Sequence, residues 1–453
     1  MLKASTERML ALRRSLSILC LGTSALIAQD AAPGPPAAEF GFQERVRSES
    51  WDNLGDHRDA TPDFRTQYRF RTRLWAVVPL SRDVTFFAGL VNENRKLVRP
   101  DQAVNGREIA FETFYLDWRM GAAWSLRAGR QNLMRGDGFV LWDGSALDGS
   151  RTAYVNALDL VWSTGTASVE FLAISDPFKD RFLPRLNVST NPRERQLLNE
   201  RDEAALGIYA TWRNTGRDLQ AYAFHKTERH DVRAATDPLF QPDRRVEALG
   251  LRFVEDLAPG LVATAEGTLQ SGWEEARPGA AGPGAPIRAW GAQGRFARTF
   301  DHPFKPLLTL GWVGLSGDDP STAAREGWDP LFGRWPRWSE LYIYSQVPEG
   351  GVAYWSNLRM WEATFQAQPW KVLALKASVY WLRAYHPVLG RGPVFAPGLG
   401  RGRLLELRAD LTLSERWQGH MLYERLAPGT FYAGGDPGRF FRVEAVYTFR
   451  QRR

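Results

Sequence analysis

Strict alternation of polar and apolar side chains over long segments is the feature of this sequence that most restricts its fold. In residues 63–78 the even positions from Phe64 to Val78 are Phe, Thr, Tyr, Phe, Thr, Leu, Ala and Val, whereas Arg, Gln and Trp occupy most odd positions. Side chains of a strand point alternately to opposite faces, whereas a helix would spread these arginines around its circumference. The segment therefore predicts a strand with one apolar face and a row of guanidinium groups on the other.

The same alternation recurs along the chain and predicts an all-β fold. A strand count of about eighteen, with short turns alternating with long loops, is typical of a transmembrane antiparallel β-barrel. Soluble β-sandwiches and propellers also alternate, but a signal peptide followed by this many strands with one apolar face favours the membrane barrel. The predicted strands lie near residues 40–50, 64–78, 83–94, 107–118, 123–133, 153–163, 166–175, 203–213, 218–227, 244–256, 260–271, 287–299, 306–316, 354–367, 371–385, 402–414, 416–427 and 439–450.

Composition excludes the main alternatives to a barrel. The mean hydropathy is −0.36, and outside the N-terminus no segment approaches the roughly 18 consecutive apolar residues that a spanning helix needs. Aromatic residues make up 12% of the chain, which excludes intrinsic disorder. Short turns such as 119–122 and 164–165 are expected at the periplasmic rim, and long loops such as 176–202 and 317–340 at the outer rim.

The N-terminus has the features of a secretory signal peptide. Basic residues up to Arg14 precede a short apolar stretch that ends in a small residue, Ala28, after which we expect cleavage. Residues 1–28 are thus predicted to be the signal peptide, 29–38 a flexible linker and 39–453 the single barrel domain. The only cysteine, Cys20, lies in the signal peptide, so the mature chain is predicted to have no disulfide and no thiolate metal site.

Arginines on the polar faces of the strands are the candidate functional residues. In a wide barrel these faces line an aqueous lumen, where rings of arginine select anions. An alternative role is bracing of the barrel wall, because carboxylates such as Glu44, Glu112 and Asp410 share these faces. Strand parity gives the candidates Arg45, Arg47, Arg69, Arg71, Arg73, Arg127, Arg359 and Arg408.

Three stretches resemble the alginate-export family of outer-membrane barrels. They are Glu112–Trp118 followed by Leu126–Leu133 and Gly136–Gly138, the segment Leu147–Arg151, and Leu404–Asp410 continuing through Ala427–Tyr432. The resemblance implies an eighteen-stranded barrel whose arginine-rich constriction passes an anionic polysaccharide, and it adds two pore-lining candidates, Arg130 and Arg151. Alternation places Arg130 and Arg127 on opposite faces of the strand. Both can line the pore only if a bulge intervenes or if Arg130 lies at the rim.

The main functional hypothesis is therefore an outer-membrane pore for an anionic solute, a uronate-containing, alginate-like polysaccharide or oligosaccharide. The alternatives are a porin for small organic acids, a barrel lipid hydrolase and a surface adhesin. Expected partners are outer-membrane lipid, the anionic solute and periplasmic export or assembly proteins.

No enzymatic activity and no cofactor are expected. The sequence has neither a His-Glu-x-x-His nor a Gly-x-Ser-x-Gly motif. Asp318, Asp319 and Asp329 could hold calcium, but a solvated acidic loop is the favoured interpretation, so no metal site is predicted. Nucleic-acid binding is not expected, because the arginines are spread over many strands instead of forming a patch.

Overall fold

The computed structural model describes residues 37–142, 155–178, 180–184, 186, 201–231, 233–237, 240–280, 282–333, 338–345, 349, 355–388 and 393–452, without the side chains of 105–108 and 343–345. The predicted signal peptide and Arg151 lie outside the described residues.

The described chain forms eighteen strands, each overlapping its predicted segment, so the predicted fold class is confirmed. The strands are β1 (Glu39–Asp52), β2 (Arg65–Pro79), β3 (Val84–Arg99), β4 (Asn105–Met120), β5 (Trp124–Gln131), β6 (Val155–Ser163), β7 (Ala167–Asp176), β8 (Asp202–Asn214), β9 (Arg217–Arg229), β10 (Arg244–Ala258), β11 (Leu261–Glu274), β12 (Ala285–Thr299), β13 (Leu307–Leu315), β14 (Leu358–Trp370), β15 (Leu373–Arg383), β16 (Gly400–Thr412), β17 (Trp417–Pro428) and β18 (Gly438–Arg452).

Pairing between the first and last strands closes the sheet into a barrel. Every strand pairs antiparallel with its neighbour in sequence, and Gln43 of β1 stands opposite Arg73 of β2 on one side and Thr448 of β18 on the other. Closure leaves no unpaired strand edge, which is what a sheet requires inside a bilayer.

The connections alternate in length as the sequence predicts. Tight turns such as 80–83, 121–123, 164–166 and 215–216 lie at one rim, and the long connections leave the strands after Asp52, Gln131, Asp176 and Leu315 at the other. In the described part of the chain one short helix, α1 (Glu340–Ser345), occurs within the connection 316–357. None of the described helical residues forms a segment long and apolar enough to cross a membrane.

Exposure of the side chains is inverted relative to a soluble protein. On β2 the outward Phe70 and Leu74 are 38% and 50% exposed, whereas the inward Arg69 and Arg71 are 3% and 4% exposed. An apolar outer face and a polar interior are the arrangement of a barrel surrounded by lipid. The buried centre of this fold is consequently the lumen.

Candidate functional site

Six guanidinium groups converge on the inner faces of three adjacent strands. This arginine wall consists of Arg45 and Arg47 of β1, Arg69, Arg71 and Arg73 of β2, and Arg442 of β18. The register sets Arg45 opposite Arg71 and Arg47 opposite Arg69, so the period-two pattern of each strand brings like charges together. The five wall arginines other than Arg73 are almost fully buried.

Glu49 lies at the centre of the arginine wall. Its carboxylate pairs with Arg442 at 2.7 Å, with Arg69 at 3.1 Å and with Arg47 at 3.2 Å. The amide of Gln67 donates to the same carboxylate at 2.6 Å. One fully buried acid thus holds three guanidinium groups in fixed positions.

Three further glutamates pair with the wall from the neighbouring strands. Glu93 contacts Arg69 at 3.1 Å and Arg45 at 3.5 Å, and Glu112 forms a short ion pair with Arg73. Glu444 accepts a hydrogen bond from Nε of Arg47 at 2.8 Å.

The wall carries more positive than negative charge. Its six arginines face the carboxylates of Glu49, Glu93, Glu112 and Glu444 and, from α1, that of Glu340, which leaves an excess of one positive charge among these eleven side chains. Arg71 donates to the side-chain oxygen of Gln43 at 3.3 Å. The ion pairs brace the wall, and the charge excess gives it a positive field.

The connection after β5 folds into the lumen. Arg135 pairs with Asp159 at 2.8 Å and with Glu170, and Asp137 pairs with Arg252 of β10 at 3.1 Å. Burial alone would lower the pKa of Arg135, but the carboxylates of Glu170 and Asp159 outweigh it and raise that pKa. Arg135 therefore adds a permanent positive charge to the interior.

The connection after β13 also folds inward and reaches the arginine wall. The carboxylate of Glu424 on β17 accepts hydrogen bonds from the backbone N–H groups of Glu340 at 3.1 Å and Leu341 at 2.6 Å, which fixes the start of α1. The side chain of Glu340 pairs with Arg442 of the wall at 2.9 Å. The α1 segment and the wall are therefore one connected network.

The two inward connections meet each other in the interior. The ring of Phe139 stacks on Trp328 with centroids 5.0 Å apart. Lys226 of β9 donates to the carbonyl oxygen of Leu331 at 2.8 Å. The two connections therefore narrow the lumen, and contacts of side chains with the strands hold them in place.

The structure separates the predicted pore-lining residues into groups. Arg45, Arg47, Arg69, Arg71 and Arg73 come together in the wall. Arg127 and Arg408 also face inward but lie apart from it; Arg127 pairs with Asp117 at 2.7 Å and Arg408 with Asp410 at 2.9 Å.

Two predicted positions do not face the lumen. The register aligns Arg127 with Asp117 but Arg130 with Phe114, so Arg130 lies on the face opposite to Arg127; it pairs with Asp180 of the connection after β7 at 2.8 Å. Arg359 is exposed on the outer face, because Leu358 and Met360 beside it are fully buried on the inner face. Apolar residues point inward there since they pack under the inserted connections.

The site also contains residues that were not predicted from the sequence. Arg442 alternates with the lipid-facing Phe441 and Val443 in the last strand, so its parity could have identified it. Glu49 shares the parity of Arg47, and Glu444 that of Arg442, so alternation places both inward, but only the cross-strand register brings them to the arginines. Arg135 enters the lumen through the path of a loop, for which the sequence has no local signal.

The acidic residues considered for calcium have other partners. Asp329 is buried and pairs with Arg244. Asp319 accepts hydrogen bonds from the backbone and hydroxyl of Ser321, which lower its pKa. Within the described ranges, no three His, Cys, Asp or Glu side chains are grouped so that they could hold a metal ion.

No protein-family model matches this sequence, and no curated protein matches it. The fold, in contrast, is similar to solved outer-membrane proteins of Pseudomonas aeruginosa. OccK2 (OpdF) in complex with glucuronate has a TM-score of 0.55 at 11% identity, covering 91% of this chain and 98% of that one. The outer membrane protein OprD has a TM-score of 0.55 at 13% identity, with 91% and 94% covered, and OpdK with vanillate a TM-score of 0.52 at 11% identity, with 91% and 99% covered.

These similarities contradict the resemblance to the alginate-export family, and they give no support to the expectation of a polysaccharide substrate. The Gly-Arg-Gln stretch that suggested that family has a structural explanation. Gly129 has φ +128°, and a Cβ there would lie 2.3 Å from the carbonyl oxygen of Phe114. Gln131 donates to the carbonyl oxygen of Ala157 at 2.9 Å. The local backbone therefore accounts for the glycine and the glutamine of this motif, so the motif does not identify a family.

Proposed function

We propose that this chain is an outer-membrane porin that passes small organic acids in their anionic form. The observation that carries the proposal is the arginine wall, a set of six guanidinium groups, five of them almost fully buried, with an excess of positive charge. Two of the similar structures hold small carboxylates, glucuronate in OccK2 and vanillate in OpdK. A channel of this kind needs no catalytic group.

The chemistry of the wall suits carboxylates. A guanidinium presents several N–H donors in a planar fork that matches the two oxygens of a carboxylate. The glutamates that hold Arg47, Arg69 and Arg442 fix those donors before a solute arrives, which lowers the cost of ordering them. The low-dielectric wall around the lumen focuses the field of the excess charge.

Release of the solute follows from the same arrangement. Protein carboxylates keep most wall arginines paired, so each arginine offers a solute carboxylate only part of its charge and the affinity at any one position is small. Conduction requires several weak sites in series instead of one tight site. Cross-strand pairs such as Arg45 with Arg71 and Arg47 with Arg69 supply such a series along the strands.

The inward connections favour small solutes over polymers. A barrel of this strand number would leave an aqueous channel, but here the segments around Phe139 and Trp328 fill part of it. A bulky polysaccharide chain would have to displace contacts such as the ion pair between Asp137 and Arg252.

Uptake of radiolabelled glucuronate into proteoliposomes tests the proposal. We expect the unaltered barrel to admit glucuronate faster than the neutral sugar glucose, and Arg71→Gln to remove most of that preference. Arg298→Gln is the matched control, because Arg298 is exposed at the outer surface and donates to the backbone of Pro259. Equal rates for the two solutes in the unaltered protein would refute the proposal.

A further inference from the structure

Five consecutive strands each place one arginine on the outer face near the rim of the long connections. We call this set the outer arginine row: Arg359 of β14, Arg383 of β15, Arg403 of β16, Arg425 of β17 and Arg439 of β18. All five side chains are exposed. The row is separate from the arginine wall, because it faces away from the lumen.

Register brings members of the row side by side. Arg359 stands directly opposite Arg383, and Arg425 directly opposite Arg439. Arg403 lies between these two pairs, opposite Trp381 of β15 and Ala427 of β17. The guanidinium groups therefore form a nearly continuous band around this part of the barrel.

The band lies directly above an apolar, aromatic surface. Two residues further toward the membrane, the outer face carries Trp361, Trp381 and Phe441, which are 58%, 43% and 42% exposed. Exposed tryptophans at this position form the girdle at the depth of the lipid headgroups. The outer arginine row is thus at headgroup level on the side of the long connections.

Carboxylates do not neutralise the row. Arg439 pairs with Asp52 at 3.4 Å, and within the described part of the chain the other four make no ion pair. The outer faces of β14–β17, all four of which are described, carry no Asp or Glu. Like charges directly opposite in adjacent strands destabilise a sheet, so an external anion would stabilise the pair Arg359–Arg383, which has no carboxylate partner among the described residues.

We propose that the outer arginine row binds the phosphate groups of a phosphorylated glycolipid in the outer leaflet. Guanidinium groups bind phosphate through two parallel hydrogen bonds, and a headgroup with more than one phosphate bridges neighbouring strands. The acyl chains of the same molecule would cover Trp361, Trp381 and Phe441. A free phosphate could contact the arginines but would leave this apolar surface unused. The inference does not depend on the solute that the lumen carries.

Native mass spectrometry of the purified full-length barrel in detergent tests the site with three probes: bis-phosphorylated lipid A, the same lipid without phosphates, and inorganic phosphate. The test variant is Arg359→Gln/Arg383→Gln. The control is Arg298→Gln, an exposed arginine of the outer face at the opposite rim, near the turn to β13. A variant is folded if its unheated sample migrates faster in a gel than its heated sample, as the unaltered barrel does.

We expect the phosphorylated lipid to bind the unaltered barrel, and the double variant to lose about fivefold in affinity for each guanidinium removed, or about 25-fold in total. The control should change affinity by less than twofold, and the lipid without phosphates should not distinguish the proteins. Equal retention of the phosphorylated lipid by the unaltered barrel and the double variant would overturn the proposal. Binding of inorganic phosphate as tight as that of the lipid would also overturn it, because the acyl chains would then contribute nothing.

Discussion

Neutralising Glu49 should destabilise the barrel more than any other single charge change at the arginine wall. Its carboxylate is fully buried and pairs with Arg47, Arg69 and Arg442. Glu49→Gln keeps the shape of the side chain but removes the negative charge and turns an N–H group toward guanidinium donors. Removing one partner of a buried ion pair costs about 3–5 kcal/mol, because the remaining charge is left uncompensated.

The control for this substitution is Glu247→Gln. Glu247 also pairs with a basic group, His225 at 2.6 Å, but both side chains are about half exposed on the outer face, near the end of β9 and the start of β10, where the rim of the long connections gives them access to water. Exposed ion pairs contribute about 0–1 kcal/mol, so this change should have little effect. The two substitutions therefore differ mainly in burial.

Urea unfolding in phosphatidylcholine vesicles, followed by tryptophan fluorescence and by gel mobility without heating, measures the difference. We expect Glu49→Gln to lower the free energy of unfolding by at least about 3 kcal/mol relative to Glu247→Gln. If the two variants unfold at the same urea concentration with equal slopes, Glu49 does not hold the wall together. The surviving folded fraction of Glu49→Gln should also be more anion-selective, since one negative charge is gone.

Further predictions concern the outer face, an outer loop and ionic strength. Phe70→Arg, at a lipid-facing site, should lower the free energy of unfolding by about 2–4 kcal/mol in vesicles, whereas Phe70→Leu should cost little. Glu44, expected on the arginine face, instead faces outward and accepts a hydrogen bond from Thr72 at 2.6 Å, so Glu44→Leu should raise that free energy; a decrease would show that the Thr72 bond outweighs the cost of a carboxylate facing lipid. Burial lowers the pKa of His57 to about 4, so stability of the loop 53–64 should be constant above pH 6.5 and fall as the pH drops toward 4. Hydrogen exchange of that loop at pH 7 and pH 5 measures this, and His57→Phe should abolish the difference. Anion preference of the channel should weaken in 1 M salt, where the screening length is about 3 Å.

Much of the architecture could be predicted from the sequence because a strand has a period of two. The alternation around Arg69, Arg71 and Arg73 fixed which side chains face inward, and the alternation of short and long gaps gave the two rims. The same rule failed at Arg359, where the inner face is apolar. Leu358 and Met360 lie in the buried cluster that includes Trp338 and Leu341 of the inserted connection. Where protein instead of water fills the lumen, apolar side chains such as Leu358 face inward, and a polar side chain such as Arg359 faces outward.

The composition of the site could be predicted only in part. Pairing of Arg47 with Glu444 joins residues 397 positions apart, and no local pattern specifies that register. The insertion of Arg135 and Glu340 into the interior depends on how long connections pack, which strand periodicity does not describe. Short motifs such as Gly129–Gln131 misled the family assignment because barrel geometry alone explains them.

The reversal potential of single channels in planar bilayers tests the central claim most directly. With a potassium chloride gradient across the bilayer, the unaltered barrel should show a potential of the sign that reports chloride preference, because the arginine wall carries excess positive charge. Replacing chloride by glucuronate should preserve an anion current. A potential that reports potassium preference would contradict the account and leave the barrel without the function proposed for it.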